Sequence, residues 1–184
     1  GGTGKVGAPL VRRLVEEKCS VRSASRSGVG IAGAENIVFD WYDPQTYAGA
    51  LAGKKRTIMM NQIGESDPID VMKPFIEQAI DTGVKRFVLL SSSLIEEGGP
   101  AMGAVHALLR QVAPEWTVLR PSWFMQNFTT EGHVASIKFE NTIYSATDDG
   151  VVPFISVDDI AEAALRTLTD EVPVNDDLIL TGPS

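Results

Sequence analysis

Seven residues at the start of the chain form a glycine-rich pattern that is suited to binding phosphate. Residues 1–7 read Gly-Gly-Thr-Gly-Lys-Val-Gly. Glycines let the backbone turn tightly and approach a pyrophosphate, and the N–H groups of the next helical turn point at the anion. A helix is predicted directly after the loop, with Pro9 in its first turn and an apolar stripe formed by Leu10, Val11, Leu14 and Val15. We predict that six residues of this loop contact a dinucleotide: Gly1, Thr3, Gly4, Lys5, Val6 and Gly7.

A glycine pattern of this kind is weak evidence by itself, because it can equally be a turn that packs a helix. The residues behind it favour the phosphate site. Residues 19–26 predict the second strand of a sheet, and dinucleotide sites read the ribose at the tip of that strand, about 20 residues beyond the loop. Arg26 stands at this tip between Ser25 and Ser27, where an NAD-specific protein usually carries an acid. We predict that Arg26 holds the 2′-phosphate of NADP(H), assisted by Ser25 or Ser27.

The elements that must position these residues alternate between strands and helices. Apolar runs predict further strands at 36–39, 57–62, 86–90 and 116–120, and helical spacing predicts helices at 69–82 and about 101–111. Near-continuous apolar strands separated by helices are typical of a parallel sheet covered on both faces. The sequence therefore predicts a doubly wound α/β Rossmann domain over residues 1–184. No strand precedes the glycine-rich loop, so we expect this domain to lack its first, central strand.

Polar residues that end the predicted strands are the next candidates, because ligands of such sheets bind beyond the carboxyl ends of the strands. We predict cofactor contacts here from Asp40, Gln62, Ser91, Ser92 and Pro121. For the serines, ordinary strand-end capping is an equally good interpretation. An apolar cluster follows the last of these strands and is either core or the wall of a flat substrate pocket; its predicted pocket residues are Trp123, Phe124 and Met125.

Composition limits the classes of partner. The chain has 184 residues, 43% of them apolar, which is enough for one sizeable core. Its net charge of −8 argues against nucleic acid or an anionic membrane as the main partner, and favours a small-molecule substrate. One cysteine provides no disulfide framework, so we expect a reducing, cytoplasmic setting. No metal site is expected, because His106 and His133 lack the spacing of metal ligands. His106 falls on a predicted helix with Val105 and Leu109, so we expect a packing histidine with satisfied hydrogen bonds.

Several motifs resemble the NmrA-like branch of the atypical short-chain dehydrogenase/reductase superfamily. They are GGTGxxG at 1–7, VKRFVLLSS at 84–92, LRPSWFMQNF at 119–128 and FISVDDIA at 154–161. Within that branch, residues 123–160, including NTIYSA at 141–146, are most similar to fungal ergot-alkaloid reductases of the festuclavine or agroclavine dehydrogenase type. The resemblance implies NADP(H) as cofactor. It also implies a small C-terminal portion that closes over the substrate, which we expect this chain to lack.

Typical reductases of that superfamily use a tyrosine, with a lysine four residues later, to protonate the oxygen of a reduced carbonyl. The tyrosines here are Tyr42, Tyr47 and Tyr144, and none has a lysine at that spacing. Between Arg86 and Ile137, where the pair would lie, there is neither tyrosine nor lysine. We therefore assign no catalytic side chain, and sugar epimerases and ordinary alcohol dehydrogenases are disfavoured.

Two classes of function remain open. The first is an NADP(H)-dependent oxidoreductase that delivers hydride to a flat cyclic iminium of the clavine type, or to a quinone. The second is an NmrA-type regulator that binds NADP(H) without doing chemistry. The aromatic segment at 123–125 and the ergot-like residues favour the enzyme.

Overall fold

The computed structural model describes residues 1–60, 67–130, 132–145 and 148–183. Its helices and strands alternate along the chain, with two additional 3₁₀ turns at Pro44–Thr46 and Met125–Phe128. In order they are α1 (Gly7–Glu16), β1 (Arg22–Ser25), β2 (Glu35–Val38), α2 (Tyr47–Leu51), β3 (Arg56–Met60), α3 (Pro68–Asp81), β4 (Arg86–Leu90), α4 (Met102–Val112), β5 (Glu115–Pro121), α5 (Val134–Glu140), α6 (Val157–Thr169) and β6 (Asp176–Leu180).

All paired strands are parallel, and they form two pieces of sheet. β1 pairs with β2, and the other four strands are arranged in the order β3-β4-β5-β6. The register brings Leu90 beside both Met60 and Leu119, so β3 and β4 end at one level and β5 continues two residues further, to Pro121. Their carboxyl ends therefore form one edge, as the prediction of a ligand site at the strand ends requires.

Helices cover both faces of the larger sheet, which confirms the doubly wound α/β prediction. Alternate side chains of β4 point to opposite faces: Phe87 and Leu89 join a cluster with α3 and α4, whereas Val88 joins α1 and α6. Because β4 is covered on both sides, its sequence is apolar at nearly every position rather than alternating. The two clusters hold the strand ends in fixed positions.

Local signals set the helix boundaries close to those predicted. The Asp67 side chain accepts a hydrogen bond from the Ile69 backbone N–H and begins α3, while Gly83, at φ +90°, follows its end. A positive φ favours glycine because it has no Cβ. In the described parts of the chain, no helix is both long and apolar enough to cross a membrane.

The predicted second strand is shorter than expected, because its first residues belong to a turn. After α1 ends, Lys18 adopts φ +60° and the Cys19 backbone N–H bonds the Leu14 carbonyl oxygen. These bonds close the helix end and delay the strand until Arg22. The tip of the strand, which carries the predicted site residues, is unaffected.

A cavity of about 470 Å³ separates the two pieces of sheet. Ser23 and Ala24 of β1 line one side, and Ile58 and Met60 of β3 line the other. Among the described residues, β1 pairs with β2 alone and β3 with β4 alone, so no strand lies between their facing edges. The Ser23 hydroxyl is buried there without a hydrogen-bond partner among the described residues. The cavity is thus a gap in the sheet rather than the ligand site at its carboxyl edge.

Candidate dinucleotide site

The glycine-rich loop lies over the carboxyl end of β1. The nitrogens of Gly1 and Gly2 donate to the Ala24 carbonyl oxygen at 3.1 and 3.2 Å. The loop then closes on itself through a bond of 3.0 Å from the Gly4 N–H to the Gly1 carbonyl oxygen. A Cβ at Gly1 would lie 3.2 Å from the sulfur of Met60, so the loop also reaches the end of β3. It therefore occupies the edge on which ligands of such sheets bind.

Close approach explains two of the glycines. A Cβ at Gly7 would lie 2.0 Å from the Gly1 carbonyl oxygen, and one at Gly2 would lie 2.3 Å from the Ser23 hydroxyl oxygen. The atom that a side chain at Gly7 would meet belongs to the backbone, so the first turn of α1 can touch the loop only because Gly7 lacks a Cβ. The predicted contact of Gly7 with a dinucleotide stays a prediction.

The N-terminus of α1 is suited to an anion because no side chain neutralises it. Its cap residue, Val6, makes no side-chain capping bond, and the first turn contains no acid. By contrast, α6 is capped by the Ser156 hydroxyl and carries Asp158 and Asp159 in its first turn. Among the described residues, the backbone N–H groups of Thr3 and Val6 donate to no protein acceptor. A pyrophosphate fits this cradle, since helix N-termini with unused N–H groups attract phosphate.

Arg26 is exposed and directly follows β1, next to the loop. The two serines beside it differ. The Ser25 hydroxyl is buried and donates to the Val29 carbonyl oxygen at 2.7 Å, whereas the Ser27 hydroxyl accepts from the Val29 N–H at 3.3 Å. Ser27 therefore keeps its hydroxyl proton for a ligand, and Ser25 does not.

The strand-end residues occupy the remainder of the edge. The Ser91 N–H bonds the Leu119 carbonyl oxygen at 2.8 Å, which sets Ser91 and Ser92 beside the buried Pro121 at the end of β5. Ser92 also shows the capping role considered for it, because its hydroxyl accepts from the Leu94 N–H. Asp40 follows β2, and one of its carboxylate oxygens accepts from the Tyr42 N–H at 3.0 Å. Gln62 lies outside the described residues.

The three predicted pocket residues lie directly after Pro121. The Trp123 and Met125 side chains are 47% and 40% exposed, so neither belongs to the core. Phe124 is partly buried against a cluster that includes Val6 of the loop and Ile155. The Met125 N–H donates to the Ile155 carbonyl oxygen, and the Ile155 N–H donates to the Trp123 carbonyl oxygen, so this segment pairs with Ile155 as an isolated parallel bridge. The segment therefore presents two apolar side chains to solvent while Phe124 fixes it against the phosphate loop.

Comparisons with known proteins agree with this geometry. The model of a family described as NAD(P)H-binding matches residues 1–171. The chain belongs to the NAD(P)H-binding family. The uncharacterized oxidoreductase YesF of Bacillus subtilis is 43% identical over all of this chain and 64% of its own length. Agroclavine dehydrogenase of Claviceps fusiformis is also 43% identical, over all of this chain and 66% of its own length. The chain thus spans about two thirds of the length of these relatives.

Solved structures show the same fold at low identity. A nucleoside-diphosphate-sugar epimerase of Staphylococcus aureus matches with a TM-score of 0.82 and 14% identity, covering all of this chain and 70% of that one. The triphenylmethane reductase of Citrobacter, complexed with NADP(H), matches with a TM-score of 0.79 and 22% identity, covering all of this chain and 69% of that one. Together with the family match, these findings confirm the NAD(P)-binding Rossmann fold and the nicotinamide dinucleotide.

Two of the tyrosine hydroxyls donate hydrogen bonds to other groups of the protein. Burial, and then the charges of Asp40 and Asp43, raise the pKa of Tyr47, whose hydroxyl donates to the Trp41 carbonyl oxygen. A hydrogen bond to Glu140 raises the pKa of Tyr144, which is exposed on the segment after α5. Among the described residues, no group of three His, Cys, Asp or Glu side chains could hold a metal ion.

One expectation about the histidines was wrong. His106 is buried beside Trp116, as a packing residue should be, but its Nε2 has no hydrogen-bond partner among the described residues. The position of His106 on the apolar face of α4 predicts that its ring packs in the core. It gives no information about hydrogen-bond partners on other elements, so the satisfied nitrogen could not be predicted reliably. The unpaired nitrogen favours the neutral ring, and burial lowers the pKa of His106.

Sequence reasoning missed the side chains that hold the site together. Gln126 donates to the Ser156 hydroxyl and accepts from the Val157 N–H, and Lys5 contacts Asn127 across the site. Arg120, one residue before Pro121, binds Asp177 and Glu96, each at 2.6 Å. These partners are far apart in the sequence. The only signal for them was the polar character of residues 126 and 127 within an otherwise apolar segment.

Proposed function

We propose that the complete natural polypeptide containing these residues is an NADP(H)-dependent reductase. Its acceptor is a flat, cationic, cyclic iminium of the clavine type. The observation that carries this proposal is the exposure of Trp123 and Met125 directly beside the glycine-rich loop. Large apolar side chains are exposed at a cost, and such a patch next to a cofactor loop is suited to a flat apolar ligand.

The choice of an iminium follows from whether the reduction requires a proton donor in the site. Reducing a ketone creates an alkoxide, which requires a proton donor and stabilising charge as the hydride arrives. Reducing an iminium requires neither: the two electrons of the hydride form a C–H bond, the C=N π pair becomes a lone pair on nitrogen, and the positive charge disappears. The hydride is the chemistry that NADPH supplies. A sequence without a Tyr and Lys pair at this edge is matched to such an acceptor.

The remaining work of the site is positioning. Transfer needs the donor and acceptor carbons about 3–3.5 Å apart in a site from which water is excluded. Ser91 and Pro121 lie at adjacent strand ends and would orient the nicotinamide amide, with Gln62 as a further predicted contact. Trp123 and Phe124 would stack on the acceptor. The net charge of −8 favours a cationic acceptor over an anionic one.

The names of relatives support the same class of substrate. Besides the Claviceps enzyme, festuclavine synthase II of Penicillium roqueforti is 36% identical over all of this chain and 67% of its own length. The names of both relatives refer to clavines.

The test compares two acceptors of matched shape. The complete polypeptide is given NADPH with a cyclic iminium or with its neutral ketone isostere, and loss of NADPH absorbance is followed. We expect turnover of the iminium alone, and no limb in the pH profile of kcat that reports a tyrosine acid. Turnover of the ketone with the iminium left unreduced would overturn the proposal. Tight NADPH binding without turnover of any iminium or quinone would indicate the regulatory function instead.

The variant Trp123→Ala tests the pocket assignment. Removing a stacked aromatic side chain should raise the KM of the iminium about tenfold, because such contacts contribute about 0.5–1.5 kcal/mol beyond the buried area itself. Phe139→Ala provides the matched control, since Phe139 is an exposed aromatic residue on α5. If both variants behave alike, Trp123 does not line the acceptor site.

A further inference from the structure

Two segments that belong to different halves of the site meet at Lys5. Its ammonium nitrogen lies 3.5 Å from the Asn127 Oδ1 atom, although the residues are 122 positions apart. Lys5 belongs to the glycine-rich loop, and Asn127 belongs to the 3₁₀ turn that follows the proposed pocket residues. The contact therefore links the place where the pyrophosphate fits with the segment that carries Trp123.

The same two segments share an apolar contact. Val6 is buried in a cluster with Ile155, Val157 and Ile160, and Phe124 packs against that cluster. Lys5 and Val6 are adjacent in the loop, so a polar and an apolar contact lie side by side. A movement of the loop would therefore be transmitted to the pocket segment through both residues.

The other attachments of the pocket segment lead away from the cofactor. Gln126 binds the N-terminal end of α6 through Ser156 and Val157, and the Met125 N–H bonds the Ile155 carbonyl oxygen. The backbone of Asn127 is also fixed, because its carbonyl oxygen accepts from the His133 N–H at 3.0 Å. The backbone position of Asn127 is thus set by its neighbours, independently of Lys5.

We propose that Lys5 is a positioning residue that couples cofactor binding to the acceptor pocket by bridging the pyrophosphate and Asn127. An ammonium carries three N–H donors and can bind two acceptors at once. At 3.5 Å the contact with the neutral amide is at the outer limit of a hydrogen bond. A phosphate at the N-terminus of α1 would fix the ammonium by a stronger, charge-assisted bond, and would thereby order the segment that carries Trp123. This inference rests on the proposed function.

The first experiment measures the pocket segment without turnover. Tryptophan emission of the complete polypeptide is quenched with acrylamide, with and without NADP⁺, and the Trp123→Phe variant isolates the part due to Trp123. We expect NADP⁺ to reduce the accessibility of Trp123 about twofold in the unmodified protein. Lys5→Met and Asn127→Ala should both abolish this change, and Lys5→Arg should restore it. A change that persists in Asn127→Ala would overturn the coupling.

The second experiment separates coupling from cofactor affinity. Lys5→Met should weaken NADPH binding about tenfold, since it removes a charged contact with phosphate, whereas Asn127→Ala should alter it less than threefold. Both should raise the KM of the iminium by a similar factor, and the double variant should raise it no further. Thr129→Ala, at the end of the same turn, is the control for local disruption.

The outcomes distinguish the two proposals. If the unmodified protein binds NADPH, additive effects of Lys5→Met and Asn127→Ala on the acceptor KM would overturn the coupling. They would leave the reductase assignment standing. Failure of the unmodified protein to bind NADPH would overturn both. Melting curves of each variant establish that its fold is retained before these comparisons are made.

Discussion

The two pieces of the sheet differ in how they are held. β3 to β6 form a ladder of four strands, and four consecutive residues of β4, from Arg86 to Leu89, are buried. β1 and β2 have four residues each, and three of the four residues of β2 are exposed. The larger piece is stabilised by helices on both faces, whereas the smaller one depends on contacts made by side chains around it.

An aromatic cluster makes the main connection between them. Phe39 and Trp41, which follow β2, pack with Tyr47 of α2 and with Phe75 of α3, with ring centroids 4.8–6.5 Å apart. Also at the carboxyl end of this piece, the glycine-rich loop bonds β1 through Ala24. The cavity lies between these connections. The comparison indicates that Arg26, which is proposed to read the ribose, is attached to a less stable part of the molecule than the proposed acceptor pocket.

The largest expected effect concerns the cavity itself. A buried backbone group without a partner costs about 1–3 kcal/mol, and several of them exceed the usual net stability of about 5–15 kcal/mol. We expect the 184 residues alone to show no cooperative melt. A strand of about five apolar β-branched residues, a usual strand length, joined before Gly1 should pair with the two edges that line the cavity and produce one.

The control for this experiment is the same extension with prolines at alternate positions, which cannot donate the ladder bonds. It should leave the melt uncooperative. A sharp melt of the 184 residues by themselves would show that the two pieces of sheet are stable without a strand between them.

The next prediction compares two arginines, one in each piece of sheet, that both bind a glutamate and backbone carbonyl oxygens. Arg86 of β4 binds Glu115 and the carbonyl oxygens of Asp170 and Glu171 after α6, and its side chain is 2% exposed. Arg22 of β1 binds Glu35 and carbonyl oxygens near the end of α2, but these partners are exposed. Burying a charge makes the loss of its partner more costly.

We therefore expect Arg86→Met to lower the free energy of unfolding by about 3–5 kcal/mol, because it leaves Glu115 and the helix-end carbonyls unpaired. Arg22→Met should lower it by about 1–2 kcal/mol. Urea unfolding of the complete polypeptide measures both. Equal losses would contradict the view that the smaller piece is held more weakly.

A smaller effect is expected at the tip of β1. If Arg26 holds the 2′-phosphate, its charged hydrogen bonds contribute about 1.5–3 kcal/mol, so the protein should prefer NADP(H) to NAD(H) about ten- to a hundredfold. Arg26→Ala should remove most of that preference and leave the affinity for NADH nearly unchanged. Fluorescence titration with both cofactors measures this, and equal affinities in the unmodified protein would refute the assignment. Ser27→Ala should have a smaller effect of the same sign.

The sequence predicted those features that depend on local periodicity. The helix at α3 and the buried strand β4 have strong patterns over their whole length, and their bounds differ from the prediction by at most one residue. The glycines of the loop were recognised for the same reason, since their spacing is local. The fold class followed from the alternation of such elements.

Features that depend on distant partners could not be predicted in this way. The hydroxyl of Ser25 is engaged by the Val29 carbonyl oxygen, so Ser27 is better placed to bind a ligand. Asn127 meets Lys5 only because the fold brings residues 122 positions apart to one edge. Polar residues at strand ends are expected from the sequence, but which of them are already paired is a tertiary property.

The smallest expected effect is a pH dependence in the larger piece of sheet. Burial lowers the pKa of His106 below its ordinary 6.5; the charges of Arg120 and Arg110 act in the same direction, and those of Asp177 and Glu97 oppose them. Because the folded state favours the neutral ring, the contribution of His106 to stability is complete above pH 6.5 and is lost as the pH falls below it. Urea unfolding of the complete polypeptide between about pH 8 and pH 5 should therefore show a shallower loss of stability for His106→Gln than for the unmodified protein. Above about pH 7.5, where the ring is neutral in both the folded and unfolded states, the difference between the two proteins should be constant. Parallel curves down to pH 5 would mean that the pKa of His106 is the same in the folded and unfolded states, contrary to the effect of burial.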